Sequence, residues 1–129
     1  MCENIEKNIS QEQARALKTT VSTMAVESWR LFKVLEKLLS SLDVKEQQKY
    51  HSKIRWFIKK TEEALKSAGL SIVNYEGQNY DPGIPAVAIN IEDFNPEEKL
   101  YVLQMLEPVI IDEQGRIIKT GTVSLGRME

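Results

Sequence analysis

Residues 17–42 decide the fold of the amino-terminal half, and they read LKTTVSTMAVESWRLFKVLEKLLSSL. Apolar residues recur through this stretch in alternating steps of four and three, with only Ser28 interrupting the series. The positions are Leu17, Val21, Met24, Leu31, Leu35, Leu38 and Leu42. This is the spacing of a heptad seam with both core positions occupied over about three and a half repeats. It predicts a long helix with one continuous apolar face.

The first helix is predicted to begin near Ser10. No Gly or Pro stands between Ser10 and Leu42, so nothing in the sequence obliges a break. Ser10 followed by Gln13 fits a capping box, with Ile9 as the residue of a hydrophobic staple. A second apolar line runs beside the seam and contains Ala25, Phe32 and Leu39, with Trp29 nearby.

A second helix is predicted from Val44 to Ser67. Asp43 can cap its first turn, and Gly69 is the usual type of residue for a left-handed helix terminus. One apolar face is indicated by Ile54, Phe57, Ile58, Ala64 and Leu65, with Tyr50 and Trp56 at its margins.

The seam is longer than an intrachain helix pair can cover. A helix from Ser10 to Leu42 is about 50 Å long, and the second helix is about two-thirds of that length. The seam is therefore either the core of an ordinary helical hairpin or also a contact with another chain or with the carboxy-terminal half. The length favours a homodimer in which the seven seam residues make the contact.

After Gly69 the helical period gives way to short β-rich runs separated by turn signals. Along the run 85–91, Val87, Ile89 and Ile91 share one side. The six predicted strand segments are 71–75, 85–91, 101–106, 108–111, 116–119 and 122–125. So many short segments in so few residues predict a compact sheet or a small open barrel.

Charge divides the chain at the same place. Residues 1–70 hold 13 Lys and Arg against 9 Asp and Glu, whereas residues 71–129 hold 4 against 10. The predicted fold class is therefore α+β, with N-terminal helices that dimerise as a coiled coil or helical bundle, followed by a small all-β domain. The predicted division is a helical dimerisation region at residues 1–69 and a β-domain at residues 70–129.

The composition excludes several kinds of chemistry. Cys2 is the only cysteine and His51 the only histidine, so an intrachain disulfide, a cysteine zinc cage and a multi-histidine metal site are excluded. Pairs of adjacent carboxylates on a helix point about 100° apart and do not form a catalytic dyad. The sequence predicts a protein that is not an enzyme and that needs no cofactor or metal.

The same composition limits the partners. A pI near 5.6 argues against a nucleic-acid partner. No run approaches the roughly 18 apolar residues of a membrane span, and the chain does not begin with the layout of a secretory signal. We expect a cytoplasmic protein with no membrane partner.

Three stretches carry a resemblance to a known family. Residues 35–43 read LEKLLSSLD, residues 65–72 read LKSAGLSI with YDP at residues 80–82, and the last third contains VLQM at 102–105, GRIIK at 115–119 and VSL at 123–125. In order and spacing they resemble the GrpE-type nucleotide exchange factors, the dimeric co-chaperones of DnaK-type chaperones. The resemblance covers residues 14–126, with a shorter amino-terminal stalk than is usual in the family.

The resemblance implies a mechanism and a site. In GrpE-type factors the β-domain favours an open cleft in the chaperone's nucleotide-binding domain and so releases ADP, which is a shift of population. By position, Met105, Arg116 and Leu125 match family residues that face the chaperone. For Met105 and Leu125 a place in the core is an equal alternative, and Arg116 is alternatively a plain surface residue.

The leading hypothesis is accordingly a homodimeric exchange factor for a DnaK-type chaperone or a related ATPase. The alternative is a non-catalytic scaffold or adaptor with the same fold and no exchange activity. A small hydrolase or ligand-binding domain is a third hypothesis, and it requires an apolar pocket with convergent polar groups.

Overall fold

Two helices precede six short strands. The structure, a computed structural model, describes the backbone of residues 2–128 and the side chains of residue 8 and residues 10–128. The elements are α1 (Cys2–Ser40), α2 (Val44–Ser67), β1 (Leu70–Val73), β2 (Ala86–Ala88), β3 (Leu100–Glu107), β4 (Val109–Asp112), β5 (Ile117–Lys119) and β6 (Gly121–Arg127). The predicted α+β class is confirmed.

Helix α1 begins earlier than the sequence indicated. It has 39 residues and starts at Cys2, so Ser10 lies inside the helix and the predicted start at a capping box is wrong. Residues 2–9 contain no Gly or Pro, and a Ser costs a helix interior only a few tenths of a kcal/mol. The predicted staple residue, Ile9, has its side chain outside the described residues.

Helix α2 has the predicted bounds. The Asp43 carboxylate accepts a hydrogen bond of 2.8 Å from the backbone N–H of Glu46, which satisfies one of the free donors of the first turn. After Ser67 the chain leaves the helix through Gly69, whose φ of 75° is in the left-handed region that only glycine adopts freely.

The two helices form an antiparallel hairpin of unequal arms. Ala25 of α1 and Leu65 of α2 share one core cluster, and only three residues connect the helices. At ~1.5 Å per residue α1 is about 58 Å long and α2 about 36 Å. The first third of α1 therefore extends past the end of α2, and the side chains of residues 10–17 are all exposed.

The strands form two three-stranded sheets. The first has the order β1-β4-β5 and is antiparallel throughout. The second has the order β2-β6-β3, in which β2 runs parallel and β3 antiparallel to β6. Strand β2 is shorter than the predicted run 85–91, because the chain turns into a single 3-10 turn over Ile91–Asp93.

Each sheet covers one core. The first sheet packs under the helical hairpin, and its cluster contains Ala25, Val26, Leu65, Leu70 and Ile110. The second core lies between the two sheets and contains Val102, Met105, Val109, Val123 and Leu125, with Trp29 of α1 packed against it. Helix α1 therefore contacts both cores and fixes the β-half to the hairpin.

Replacing Leu65 with Ala tests this packing. Leu65 is buried where α2 meets α1 and the first sheet, so we expect a loss of about 2–5 kcal/mol in the free energy of unfolding. The matched control is Leu103→Ala in β3, where the side chain is exposed and the expected loss is below about 1 kcal/mol. Urea unfolding measures both, and equal losses would contradict the packing.

Candidate partner-binding surfaces

Two of the three residues predicted to face a partner lie in the core. Met105 and Leu125 are 0% and 2% exposed, because both point from their strands into the second core. The predicted apolar contact patch at these two residues is therefore wrong, and the alternative of core positions holds.

Met105 organises the junction between α1 and the β-half. Its backbone carbonyl accepts a 3.4 Å hydrogen bond from Trp29 Nε1, and its N–H donates to Glu76 Oε1 over 3.0 Å. Its sulfur accepts from the N–H of Tyr75 at 3.1 Å. Met105, which the resemblance matches to a chaperone-facing residue, therefore holds α1 to the β-half in this chain.

Arg116 is on the surface, in the turn between β4 and β5. Its Nε donates to Asp112 Oδ2 at 2.7 Å, while Asp112 Oδ1 accepts from the N–H groups of Gln114 and Arg116, both at 2.9 Å. The Arg116 side chain is nevertheless 71% exposed. One of its Nη groups donates to Gln114 Oε1 over 3.3 Å, and the guanidinium lies on the surface of a turn whose backbone is held by a buried carboxylate.

The Asp112 carboxyl is held in its charged form. Burial acts to raise its pKa, but the N–H and guanidinium of Arg116 and the N–H of Gln114 all stabilise the anion and leave the pKa below its ordinary value. Beside Arg116, Ile117 is exposed at the start of β5. We call Arg116 and Ile117 the hairpin tip, a cation next to an apolar side chain.

The second sheet presents an apolar row that sequence reasoning did not assign to a partner. Val87 and Ile89 are each 62% exposed, and Ile91 follows them in the 3-10 turn with 45%. We call these three residues the β2 row. In β2 the small Ala86 and Ala88 face the core. The alternation of small residues that face the core with large apolar residues that face solvent is the signal that could have identified this surface.

Asn90 holds the β2 row against β6. Its side-chain amide donates to the carbonyl of Leu125 at 3.0 Å, and its carbonyl oxygen accepts from the N–H of Leu125 at 2.8 Å. The N–H of Ile89 donates to the carbonyl of Val123 at 3.0 Å. The side chain of Asn90 therefore continues the strand pairing beyond β2 and keeps the row in a fixed position.

The seam of α1 lies mostly in water. Val21 and Leu35 are half-buried, while the other seam residues are exposed: Leu17 65%, Met24 66%, Leu31 54% and Leu38 58% on α1, and Leu42 39% in the connection. The predicted helix to Leu42 is thus two residues too long, because α1 ends at Ser40. Packing within the chain uses the adjacent face instead, which contains Ser22, Ala25, Val26 and Trp29. The structure thus separates the two apolar lines of the sequence.

Helix α2 widens this exposed apolar surface. A shallow groove of about 360 Å³ runs between the two helices, with Val21 and Met24 on one side and Phe57 and Ala64 on the other. Phe57 is itself exposed. The seam and this groove form one apolar face of the hairpin.

A half-buried ion pair joins α1 to the β-half. Lys33 Nζ lies 3.0 Å from Glu76 Oε1 and 5.0 Å from the centre of the Trp29 ring. Burial alone would raise the pKa of Glu76, but the N–H of Met105 and the ammonium of Lys33 outweigh it and lower the pKa below its ordinary value.

The remaining sequence-derived candidates are isolated. His51 is exposed on α2, and within residues 2–128 no three His, Cys, Asp or Glu side chains that are described come together as a metal site. Neither helix, over its described residues, combines the length and apolar character needed to cross a membrane.

Replacing Glu76 with Gln changes how stability depends on pH. Because the folded pKa of Glu76 is lowered, its contribution is present above the ordinary value of 4.5 and is lost as pH falls through the folded value. We expect Glu76→Gln to be less stable than the parent at pH 7, with a smaller difference at an acidic pH below the folded pKa of Glu76.

Urea unfolding at both pH values measures the effect of Glu76→Gln. The matched control is Glu97→Gln in an exposed loop, where we expect no difference at either pH. A loss of stability that is the same at both pH values would contradict the role of the charged carboxylate.

Comparison of the chain with protein-family models, with curated proteins and with solved structures gives no match. The resemblance to GrpE-type factors therefore rests on the residues quoted above and on the order of elements along the chain. Any function must be argued from the surfaces just described.

Proposed function

We propose that this protein is a homodimeric co-chaperone of the GrpE type, which promotes ADP release from a DnaK-type chaperone or a related ATPase through its β-half. The order of elements supports the proposal: a long helix, a shorter helix and then two small sheets. The observation that carries it is the exposed seam on a helix that also holds the β-half.

The seam supports pairing of two copies. Leu17, Met24, Leu31 and Leu38 recur every seven residues, and each leaves more than half of its surface in water. Burying such a side chain contributes on the order of 1 kcal/mol, and a two-fold interface counts each residue twice. Two hairpins that meet through this face make a four-helix bundle.

The β-half then supplies the contact with the ATPase. The hairpin tip offers the outer edge of a guanidinium, which can make a forked, charge-assisted contact with a carboxylate. The β2 row offers apolar surface on the other sheet. No bond is made or broken, because the factor acts by binding the open conformer of its partner better than the closed one.

The preference for the open conformer of the partner that this mechanism requires is modest. A hundredfold increase in the open population needs about 2.7 kcal/mol of differential binding. One central Arg contact is typically worth about 1–3 kcal/mol. A contact at Arg116 together with part of the β2 row is therefore sufficient in magnitude.

A scaffold without exchange activity is the second candidate, and one observation favours it. Met105 and Leu125, which the resemblance matches to chaperone-facing residues, are both buried. A protein with this fold can therefore bind a partner through other surfaces without opening the partner's nucleotide-binding cleft. The two candidates differ in the nucleotide off-rate of the partner.

Replacing Leu31 with Glu tests the dimer. A carboxylate in the middle of an apolar interface is costly to desolvate, so we expect Leu31→Glu to sediment as a monomer where the parent sediments as a dimer. The matched control is Thr23→Glu, an exposed position on another side of α1, which should remain a dimer. The same sedimentation coefficient for both variants would contradict the seam interface.

Replacing Arg116 with Ala tests the contact with the ATPase. The measurement is the release of a fluorescent ADP analogue from a DnaK-type chaperone of the same organism, with and without this protein. We expect the parent to accelerate release, and Arg116→Ala to weaken binding by about 1–3 kcal/mol. Thermal stability should fall modestly, because Asp112 Oδ2 loses its guanidinium partner while two backbone N–H groups still donate to Oδ1.

The matched control is Arg30→Ala, an exposed arginine on α1 that is paired with Glu27 at 3.3 Å. Arg30→Ala should accelerate nucleotide release from the chaperone as the parent does. Stable binding of the parent with no change in the off-rate would establish the scaffold instead, and a parent that does not bind the chaperone contradicts both candidates.

A further inference from the structure

The outer face of α2 carries a stripe of cations around an exposed tryptophan. Lys45, Lys49, Lys53, Trp56 and Lys60 follow one another in steps of four, four, three and four, which places them on one side of the helix. We call these five residues the basic stripe. Residues 45–60 contain six Lys and Arg against a single acidic residue, Glu46.

The basic stripe lies on the outer side of α2, and Lys60 at its edge also borders the groove between the two helices. Leu65 and Ile58, which lie on the opposite side of α2, are buried and half-buried. Trp56 is 62% exposed, although tryptophan is on average among the well-covered residues. This places a large exposed indole among the cations of the stripe.

The charges of the stripe are not neutralised within the chain. Among the described residues its one ion pair joins Lys60 to Glu63 over 3.4 Å, and both side chains are about half exposed. Like charges four residues apart, as at Lys45, Lys49 and Lys53, destabilise a helix by about 0.2–0.5 kcal/mol per pair. A bound anion would remove this cost.

The surface beside Trp56 is not flat. A shallow depression of about 460 Å³ borders the indole and is lined by Ser52, Arg55, Ile58, Lys59 and Glu62. Lys60 Nζ lies 5.5 Å from the centre of the Trp56 ring. The indole and Ile58 give the depression an apolar wall that suits an apolar side chain, and its cations, Arg55 and Lys59, outnumber its one acidic residue, Glu62.

We propose that the basic stripe binds an acidic polypeptide segment of a partner protein. Lys45 and Lys60 are about 22 Å apart along the helix; Lys45, Lys49 and Lys53 follow one another at about 6 Å, and Lys60 lies about 10 Å beyond Lys53. Carboxylates at that interval are supplied by a helix with acidic residues four apart or by an extended segment with acidic residues two apart. An apolar side chain near its middle covers Trp56.

The charge of the other half favours a polypeptide over an extended anionic surface. Residues 71–129 carry ten Asp and Glu against four Lys and Arg. The chain as a whole carries a net charge of −2, so a long polyanion would be repelled by the protein outside the stripe, whereas a short segment can lie along α2 alone. The inference is independent of nucleotide exchange and requires only an accessible α2.

Fluorescence anisotropy with the full chain tests the proposal. The probe is a fluorescein-labelled peptide of about fifteen residues with Glu at every fourth position and one central Leu. We expect salt-sensitive binding that Lys49→Glu with Lys53→Glu weakens about tenfold or more, and that Trp56→Ala weakens several-fold. The matched control, Lys37→Glu with Lys99→Glu, makes the same change in net charge at exposed positions elsewhere and should bind within about twofold of the parent.

Several results would overturn the proposal. They are an acidic peptide that does not bind, equal weakening by the stripe and control pairs, and equal binding of a peptide with Lys in place of Glu. Binding that depends on the stripe and is tighter to phosphatidylserine vesicles or to an oligothymidylate than to the acidic peptide assigns the surface to another class of macromolecule. Salt-sensitive self-association that Lys49→Glu with Lys53→Glu abolishes assigns it to a second copy of the chain.

The variants themselves remain interpretable, because every substituted side chain is exposed and Trp56→Ala changes no charge. Lys49→Gln with Lys53→Gln provides a milder form of the same test. We expect it to weaken the peptide by an intermediate factor, and no weakening would count against an electrostatic contact.

Discussion

Helix α1 has two apolar lines on adjacent faces, and the chain itself covers only one of them. Ala25, Val26 and Trp29 pack against the sheets and α2, whereas Met24 and Leu31 stay in water. A single helix cannot turn both lines inward, because they lie side by side around its axis. This constraint leaves an apolar face of the hairpin exposed, and that face is the observation behind the proposed dimer.

The same helix is also the structural link to the β-half. Trp29 contacts the second core, and Lys33 pairs with Glu76. Both lie within two turns of exposed seam residues on the same helix. Pairing of two α1 helices would therefore fix where two β-halves stand. The hairpin tip and the β2 row would be presented twice, in positions set by the dimer.

Much of the architecture followed from local signals. Asp43 and Gly69 predicted the bounds of α2, since a cap and a left-handed glycine act through their immediate neighbours. Each predicted strand segment overlaps an observed strand. The start of α1 was wrong, because a capping box at Ser10 does not oblige a helix to begin there when residues before it can also be helical.

The candidate site was predicted less well, for a physical reason. Whether Met105 or Leu125 faces the core depends on which side of β3 and β6 is covered, and this is decided by long-range pairing. The contact of Trp29 with the carbonyl of Met105, 76 residues away, has no local signal at all. Arg116 was placed correctly on the surface, yet the carboxylate that holds its turn emerged only from the structure.

The measurement that tests this account most directly is the molar mass of the unmodified chain by light scattering over a range of concentrations. The account predicts a mass near twice the 14.8 kDa of one chain, which falls toward that of one chain on dilution. A mass that stays at 14.8 kDa at the highest concentrations would contradict pairing of two chains through the exposed side of α1.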